Sequence, residues 1–461
     1  LASQSRPGIV LVMLLLNAFA TPLMLSSTNV ALPGIADGLS LSALTLSWVP
    51  MAFLMASAMF VLVFGKLSDG LGRKRVFLTG VVCVIASSLF AASAVSGEML
   101  LVARFLQGTS GAMINATQIA IISSVVSPKE RGKYIGMITA AVYVGLSAGP
   151  LLGGIVIDQI GWRAAFVMHV PLAIVVLLIG LFAVKDEWRN DNPTRFDRLG
   201  ALLWTSSIAI FCVGVSLLPS ATALSLVAVS WVILYLFLQH ARQSEQPLWD
   251  VKLFFQNRVF TLSATASLLM YAATYANVVL LSLYLQSIKA LTASQAGMIM
   301  MVQPAMMAIF SPIMGKLSDR VEPRMLASTG MAITATGLFI LARLHTDSAI
   351  TQVIIALLLT GGGFSLFSSP NINAIMGSVT PTYYGSASGA VATTRIIGQL
   401  SSMVLVTLSI SLVMGDVAVS PETRGLLANA IDLSFTIAGC LCLLGILFSV
   451  SRGRLHTKPE Q

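Results

Sequence analysis

Gly65-Lys66-Leu67-Ser68-Asp69 and Gly315-Lys316-Leu317-Ser318-Asp319 are the same five residues, met twice in one chain of 461. Each copy closes an apolar run about twenty residues long and opens a charged turn, so the two hold the same place in a repeated pattern. Such duplication predicts two homologous helical halves with a polar site where they meet. Around the two copies lie apolar runs with rough limits 9–32, 46–65, 76–96, 99–122, 132–157 and 163–184. A central pair follows at 199–218 and 222–240, then 259–286, 294–316, 325–343, 350–376, 386–414 and 427–450. Runs of this length read as spanning helices, which gives two six-helix bundles, 1–185 and 259–461. Residues 186–258 form a linker with an inserted transmembrane hairpin.

Composition agrees. Hydrophobic residues make up 56%, charged residues 10%, and mean hydropathy is +0.88. Soluble domains carry about 25% charged residues, so the chain reads as an all-α polytopic membrane protein. A transmembrane β-barrel is excluded, because its segments alternate and last about ten residues. The net charge of +9 suggests nucleic acid only until the basic residues are located. About 21 of the 27 fall on one side of the spans and four on the other, with Arg104 and Arg395 inside spans. That asymmetry predicts both termini in the cytoplasm, in the plasma (inner) membrane, and gives no ground for a nucleic-acid partner. Cys83, Cys212, Cys440 and Cys442 all lie in apolar runs and read as packing residues.

Gly65 to Asp69, continued by Gly70-Leu71-Gly72-Arg73-Lys74-Arg75, resembles the cytoplasmic loop signature of the major facilitator superfamily. Arg104-Phe105-Leu106-Gln107-Gly108, with Gly111 and Ala112, resembles its fourth-helix signature. Gly145 to Gly154, through Pro150, resembles the fifth-helix signature of its antiporters. Gly161-Trp162-Arg163 with Phe166, and Phe196-Asp197 with Gly200, resemble the fourteen-helix drug:proton antiporter branch. The resemblance implies the major facilitator fold and a monomeric secondary transporter working by alternating access. Its partners would be a small-molecule substrate, protons and the lipid bilayer, with no cofactor or metal. Proton-coupled export of drugs or small metabolites, as in multidrug efflux, is the implied activity.

The motifs have physical readings of their own. Gly65 and Gly72 permit tight turns. Asp69 can accept free helix N–H groups or pair with Arg73, a charge cluster able to latch one conformation; Asp319 repeats the carboxylate. Gly145, Gly149 and Gly153 recur every four residues, with Gly154 beside them, and let backbones approach closely. Pro150 removes one helix bond, so this span reads as a hinge or a seal. In span 4, Arg104, Gln107, Gly111, Asn115 and Gln118 share one face. A polar stripe in a membrane helix must face the interior or water. Arg104 either binds an anionic group, tunes a proton site, or is tied to a neighbouring carbonyl. In span 13, Ser388, Arg395, Gln399 and Ser402 repeat the pattern.

Further cavity candidates are Asn17, Thr21 and Asn29 in span 1 and Tyr143 in span 5. Span 9 adds Tyr271, Tyr275 and Asn277, span 10 adds Gln303, and span 12 adds Asn371 and Asn373. Each serves equally as an interhelical hydrogen-bond partner. The resemblance departs at one place. The first-helix signature carries an Asp before Asn29-Val30-Ala31-Leu32-Pro33, whereas this chain has Met24-Leu25-Ser26-Ser27-Thr28. No Asp or Glu lies near the centre of any span. His169 in span 6 is then the intramembrane proton candidate. Two intramembrane arginines without acids also open an alternative, an organic-anion exchanger or facilitator not driven by protons. An enzyme is not expected, since no HExxH, Walker-type or GxSxG string occurs.

Overall fold

The structure is a computed structural model describing residues 6–126, 131–189, 196–251, 254, 256–318, 320–379 and 384–453. Its first six long helices are α1 Pro7–Val30, α2 Ala43–Leu71, α3 Arg73–Ala92, α4 Gly97–Val125, α5 Arg131–Ile160 and α6 Ala164–Ala183. A hairpin follows, α7 Arg198–Ser216 and α8 Ala221–Gln243. The remaining six are α9 Arg258–Ile288, α10 Ala293–Leu317, α11 Pro323–Ala342, α12 Ile350–Gly377, α13 Tyr384–Val413 and α14 Arg424–Ser451. Among the described residues, 13 of these helices are long and apolar enough to cross a membrane. The exception, α4, has 29 residues, about 43 Å. It is the helix that carries Arg104, Gln107, Asn115 and Gln118. The all-α polytopic fold expected from the sequence is the fold adopted.

Helix starts follow local chemistry. Ser42, Ser96, Asp197, Ser220, Asn257 and Thr292 each cap a helix by accepting from a backbone N–H three residues on. Gly72 separates α2 from α3 at φ +105, and a Cβ there would meet the Glu187 carboxylate at 2.6 Å. α1 begins and α14 finishes at the end that carries both pentapeptides, the basic end. In both copies the serine donates to the glycine carbonyl, Ser68 to Gly65 at 2.8 Å and Ser318 to Gly315 at 2.7 Å.

Three helices break partway through. α6 is interrupted at Met168–His169, just before Pro171, and α10 at Met301, just before Pro304. α9 breaks at Tyr275–Ala276 without any proline. The freed Ala276 N–H donates to Ser402 Oγ of α13 at 3.0 Å, as backbone in an apolar layer must be satisfied. These breaks fall beside His169, Gln303, Tyr275 and Asn277.

At the far end, opposite the basic one, α1–α6 and α9–α14 are stitched together. Asp158 of α5 accepts from the Ala293 and Ser294 N–H groups of α10 at 3.0 and 2.9 Å. Gln286 donates to Val30 O at 2.9 Å, Ser47 meets Thr407 at 3.0 Å, and Ala43 N–H donates to Val417 O at 2.9 Å. At the basic end, by contrast, a Cβ added at Gly65, Gly136 or Gly389 would meet nothing within 4 Å.

The hairpin is the least enclosed element. Only 17% of the most apolar stretch of α8 is buried, against 78% for α9. It is nevertheless anchored to both helix sets. Trp204 Nε1 donates to Ala58 O of α2 at 2.9 Å, and Ser411 of α13 donates to Leu218 O at 2.7 Å. Asp197 secures its base, accepting from Gly200 N–H, His240 Nε2 and Leu248 N–H at 2.8, 2.8 and 3.1 Å. Burial opposes ionisation of Asp197, but these bonds outweigh it and hold the carboxyl below its ordinary value. A lowered carboxyl stabilises the fold fully above the ordinary aspartate value, and that stability drains away as pH falls through the lowered one. Asp197→Ala is expected to lower the thermal midpoint in detergent by several degrees, a loss of about 1–2 kcal/mol. The gap from wild type should close on acidification; a gap independent of pH would contradict this assignment.

Candidate functional site

Polar side chains of both helix sets converge where α9 breaks. Tyr271 and Tyr275, one turn apart, present the same face of α9. Tyr275 lies within electrostatic reach of Arg104, and Tyr271 within reach of Arg395 and Tyr143. Tyr143 of α5 meets Ser368 of α12 at 3.4 Å, joining the two sets near mid-depth. Phe364 packs edge-on against Tyr271 with ring centroids 5.5 Å apart. The centre is thus aromatic, hydroxyl-rich and flanked by two guanidiniums.

The two arginines sit differently. Arg104 is 1% exposed. Its Nε donates to Val49 O of α2 at 3.0 Å, and its Nη1 to Gln107 Oε1 at 2.7 Å. The Phe53 and Phe166 rings lie 4.9 and 6.0 Å from its guanidinium carbon. Of the sequence alternatives for Arg104, the tie to a neighbouring carbonyl is the one present in this conformation. Arg395 is half-buried, and its guanidinium makes no hydrogen bond or ion pair among the described residues. Gln399, one turn on, is half-buried too. The side chain of Ser388 lies outside the described residues.

From Arg104 a buried network continues. Gln107 Nε2 donates to Ser88 Oγ of α3 at 2.8 Å, and Ser88 Oγ meets His169 Nε2 at 3.2 Å. His169 is 1% exposed, and its Nδ1 is buried without a partner.

The other polar candidates are paired locally or stand alone. Asn17 donates to Gln118 Oε1 at 3.0 Å, and Asn277 reaches Gln303 Oε1 at 3.5 Å. Thr21, Asn29 and Asn115 make no side-chain hydrogen bond among the described residues. Asn371 and Asn373 sit toward the basic end, away from Tyr275. Asn371 accepts from Arg452 Nη1 at 2.6 Å and donates to Ser263 O at 3.0 Å, while Asn373 donates to Ser318 Oγ at 2.6 Å.

In the loop signature, Arg73 Nη2 pairs with Asp69 Oδ1 at 3.0 Å, and Arg73 Nη1 donates to Ser124 Oγ of α4 at 2.7 Å. Glu187 accepts from the Lys74 and Arg75 N–H groups at 2.9 and 3.2 Å, capping α3 from the loop after α6. Asp319 lies outside the described residues. The glycine stripe divides its labour. A Cβ on Gly145 would strike Phe19 O, one on Gly149 Ser26 Oγ, and one on Gly153 Ser27 Cβ, so all three seat α5 on α1. Gly154 instead abuts Ala293 O of α10, and Gly297 of α10 abuts Pro150 O.

Several participants were not anticipated. Ser88 and Ser368 are small polar residues without a distinguishing pattern. Gln286 was a visible signal, an amide in an apolar run. Arg452 counted only as a topology charge, yet it is 1% exposed, with Nε and Nη2 unpartnered. Burial draws its guanidinium down to about 10, with Glu322 opposing that shift and Arg324 adding to it.

The model of the Major Facilitator Superfamily matches residues 14–400 and 262–461. The riboflavin transporter RibZ of Clostridioides difficile is 27% identical over 449 residues, covering 97% of this chain and 98% of its own. The multidrug resistance protein Stp of Mycobacterium tuberculosis is 30% identical over 378 residues, 80% of this chain and 70% of its own. Among solved structures, a bacterial homolog of the human lysosomal transporter Spinster, inward-facing and unoccupied, superposes with TM-score 0.72 at 16% identity over 98% of each chain. With signatures, helical fold and relatives in agreement, the chain belongs to the Major Facilitator Superfamily and is a multi-pass membrane transporter, not an enzyme.

Proposed function

We propose that this transporter exports drug-like or metabolite molecules by alternating access, driven by protons, with the basic end in the cytoplasm. Residues 1–185 and 259–461 are the two rocking halves, and 186–258 is the linker with its hairpin. The observation that carries the reading is the far-end seal, made between the halves by Asp158 on α10 and by the Gly154 and Gly297 approaches. Below it lies the centre of Tyr143, Tyr271, Tyr275 and Ser368. A seal on one side of a polar centre is one of the two states that alternating access requires. Flat aromatic solutes suit that centre, and relatives named for riboflavin and tetracenomycin C support this class. Asp69 and Arg73 act as the basic-end gate, with Asp319 as its counterpart, and the stripe from Gly145 to Gly154 with Pro150 as the far-end hinge.

One observation favours a second reading. Among the described residues Arg395 pairs with no carboxylate, which gives the centre a positive field and suits an anionic substrate moved by exchange. Vesicles containing the purified protein and an internal pH dye separate the two. Riboflavin and tetracenomycin C serve as probes, beside a panel of organic anions. Probe-evoked proton flux, abolished by collapsing the gradient, supports the first reading. Probe or anion movement indifferent to the gradient supports exchange and overturns proton drive.

A further inference from the structure

We infer that the far end of the α11–α14 face holds a phospholipid headgroup bearing a phosphate and a primary ammonium, with Arg343 taking the phosphate and Asp432 the ammonium. Thr336, Phe339 and Ile340 of α11, Arg343 at its end, and Asp432 and Thr436 of α14 line a cleft of about 600 Å³. Asp432 accepts from Thr436 Oγ1 at 3.2 Å and, among the described residues, pairs with no cation. Arg343 makes no side-chain hydrogen bond or ion pair among the same residues. Arg163 and Lys289, at the same end, are instead tied to the backbone carbonyls of Ala94 and Thr346. Two opposite charges therefore share one cleft without meeting each other.

The cleft opens to the bilayer and not to the transport centre. Asp432, Thr436, Leu443, Leu447 and Val450 recur at i, i+4, i+11, i+15 and i+18 on one face of α14, and all are exposed. Met325, Ala332, Thr336 and Arg343 do the same along α11 at i, i+7, i+11 and i+18. Both faces are apolar toward the basic end and turn polar, then charged, toward the far end. A charge facing lipid is costly, and here neither has a protein partner of opposite sign to offset that cost. The Phe339 ring lies on Gly439, where a Cβ would meet it at 2.8 Å. Counted from that contact toward the far end, Arg343 is four residues along α11 and Asp432 seven along α14. At 1.5 Å per residue those are about 6 Å and about 10 Å, so the carboxylate stands outermost and the guanidinium beneath it. A phospholipid in that leaflet is ordered likewise, with its amine outermost and its phosphate beneath. The guanidinium offers a planar fork to the phosphate oxygens, and the carboxylate has acceptors for the ammonium N–H groups. A trimethylated ammonium has no N–H to give, and an anionic headgroup without an amine sets like charge against Asp432.

Native mass spectrometry of the full chain tests this, with phosphatidylethanolamine, phosphatidylcholine and phosphatidylglycerol of matched acyl chains as probes. Wild type should retain one phosphatidylethanolamine about tenfold more tightly than phosphatidylcholine, the size of one charge-assisted hydrogen bond. Mono- and dimethylated ethanolamine headgroups should fall between the two, a series that needs no variant. Asp432→Asn should erase the preference for the primary amine. Arg343→Gln should weaken retention of both zwitterionic lipids about tenfold. Neither side chain holds another element in place, so both variants should keep the wild-type thermal midpoint without lipid. Equal retention of the three lipids by wild type overturns the assignment, as does an unchanged preference in Asp432→Asn or unchanged retention in Arg343→Gln. Stronger retention of phosphatidylglycerol, lost only in Arg343→Gln, would leave a plain anion site and overturn the role of Asp432. Thermal stabilisation by soluble phosphoethanolamine equal to that by the lipid would overturn the lipid as occupant.

Discussion

Gly297→Val will lower transport more than tenfold. The far-end seal brings α5 and α10 so close that a Cβ on Gly297 would strike the Pro150 carbonyl, and one on Gly154 the Ala293 carbonyl. Neither obstacle is the loose end of a side chain. Both belong to helix backbone, so the added methyls must push the two helices apart. Overpacking of this kind costs about 1–3 kcal/mol, enough to move a two-state balance roughly tenfold to a hundredfold against the sealed state. The fold should survive, because the other conformation does not require this approach. Gly136→Val, where a Cβ meets nothing within 4 Å in this conformation, is the control and should leave the far-end seal intact. Labelling of far-end positions by a membrane-impermeant reagent, alongside vesicle uptake, reads the outcome. Equal labelling of wild type and Gly297→Val would remove the seal from the transport cycle.

Arg104→Ala and Arg395→Ala will separate scaffold from substrate recognition. Removing Arg104 leaves buried Gln107 Oε1 without its donor and takes from Val49 O the bond it accepts beyond its own helix. At about 1.5–3 kcal/mol for each bond to a charged group, a loss of 3 kcal/mol or more in stability is expected, with transport falling as the protein does. Arg395 supports no such network. Its truncation should leave thermal stability within about 0.5 kcal/mol of wild type, while transport of anionic aromatic probes drops at least tenfold. Arg395→Lys should keep part of the activity, as charge survives without the planar fork. Thermal unfolding in detergent and vesicle uptake together decide. Cation and anion probes losing equal ground in Arg395→Ala would mean that the guanidinium shapes the cavity rather than reading charge.

Much of the architecture was legible in the residues because membrane insertion forces long apolar runs and basic turns on any chain that spans a bilayer. The pentapeptide repeat predicted a two-fold plan, and its two copies make the same local bond, Ser68 to Gly65 O and Ser318 to Gly315 O. The site was legible as a set of helix faces and no further. Spacing told that Arg104 and Gln107 share a face of α4; it could not tell that Val49 O on α2 waits for the guanidinium. Asn371 shares the polarity of the central residues, yet Arg452, 81 positions away, claims it at the basic end. The break in α9 carries no proline, and only Ser402 on another helix makes it affordable in hydrogen bonds. Pairings between helices are long-range facts, and periodicity is a local one.

The hairpin lies along one of the two seams between α1–α6 and α9–α14. Trp204 fastens it to α2 and Leu218 to α13, so α7 acts as a shutter over the α2–α13 seam. In the proposed cycle, solutes dissolved in the leaflet at the basic end would meet a barred entrance on that flank, which leaves the opposite flank, between α5 and α10, as the doorway from the lipid. Amphiphilic cargo would board this protein from one side only.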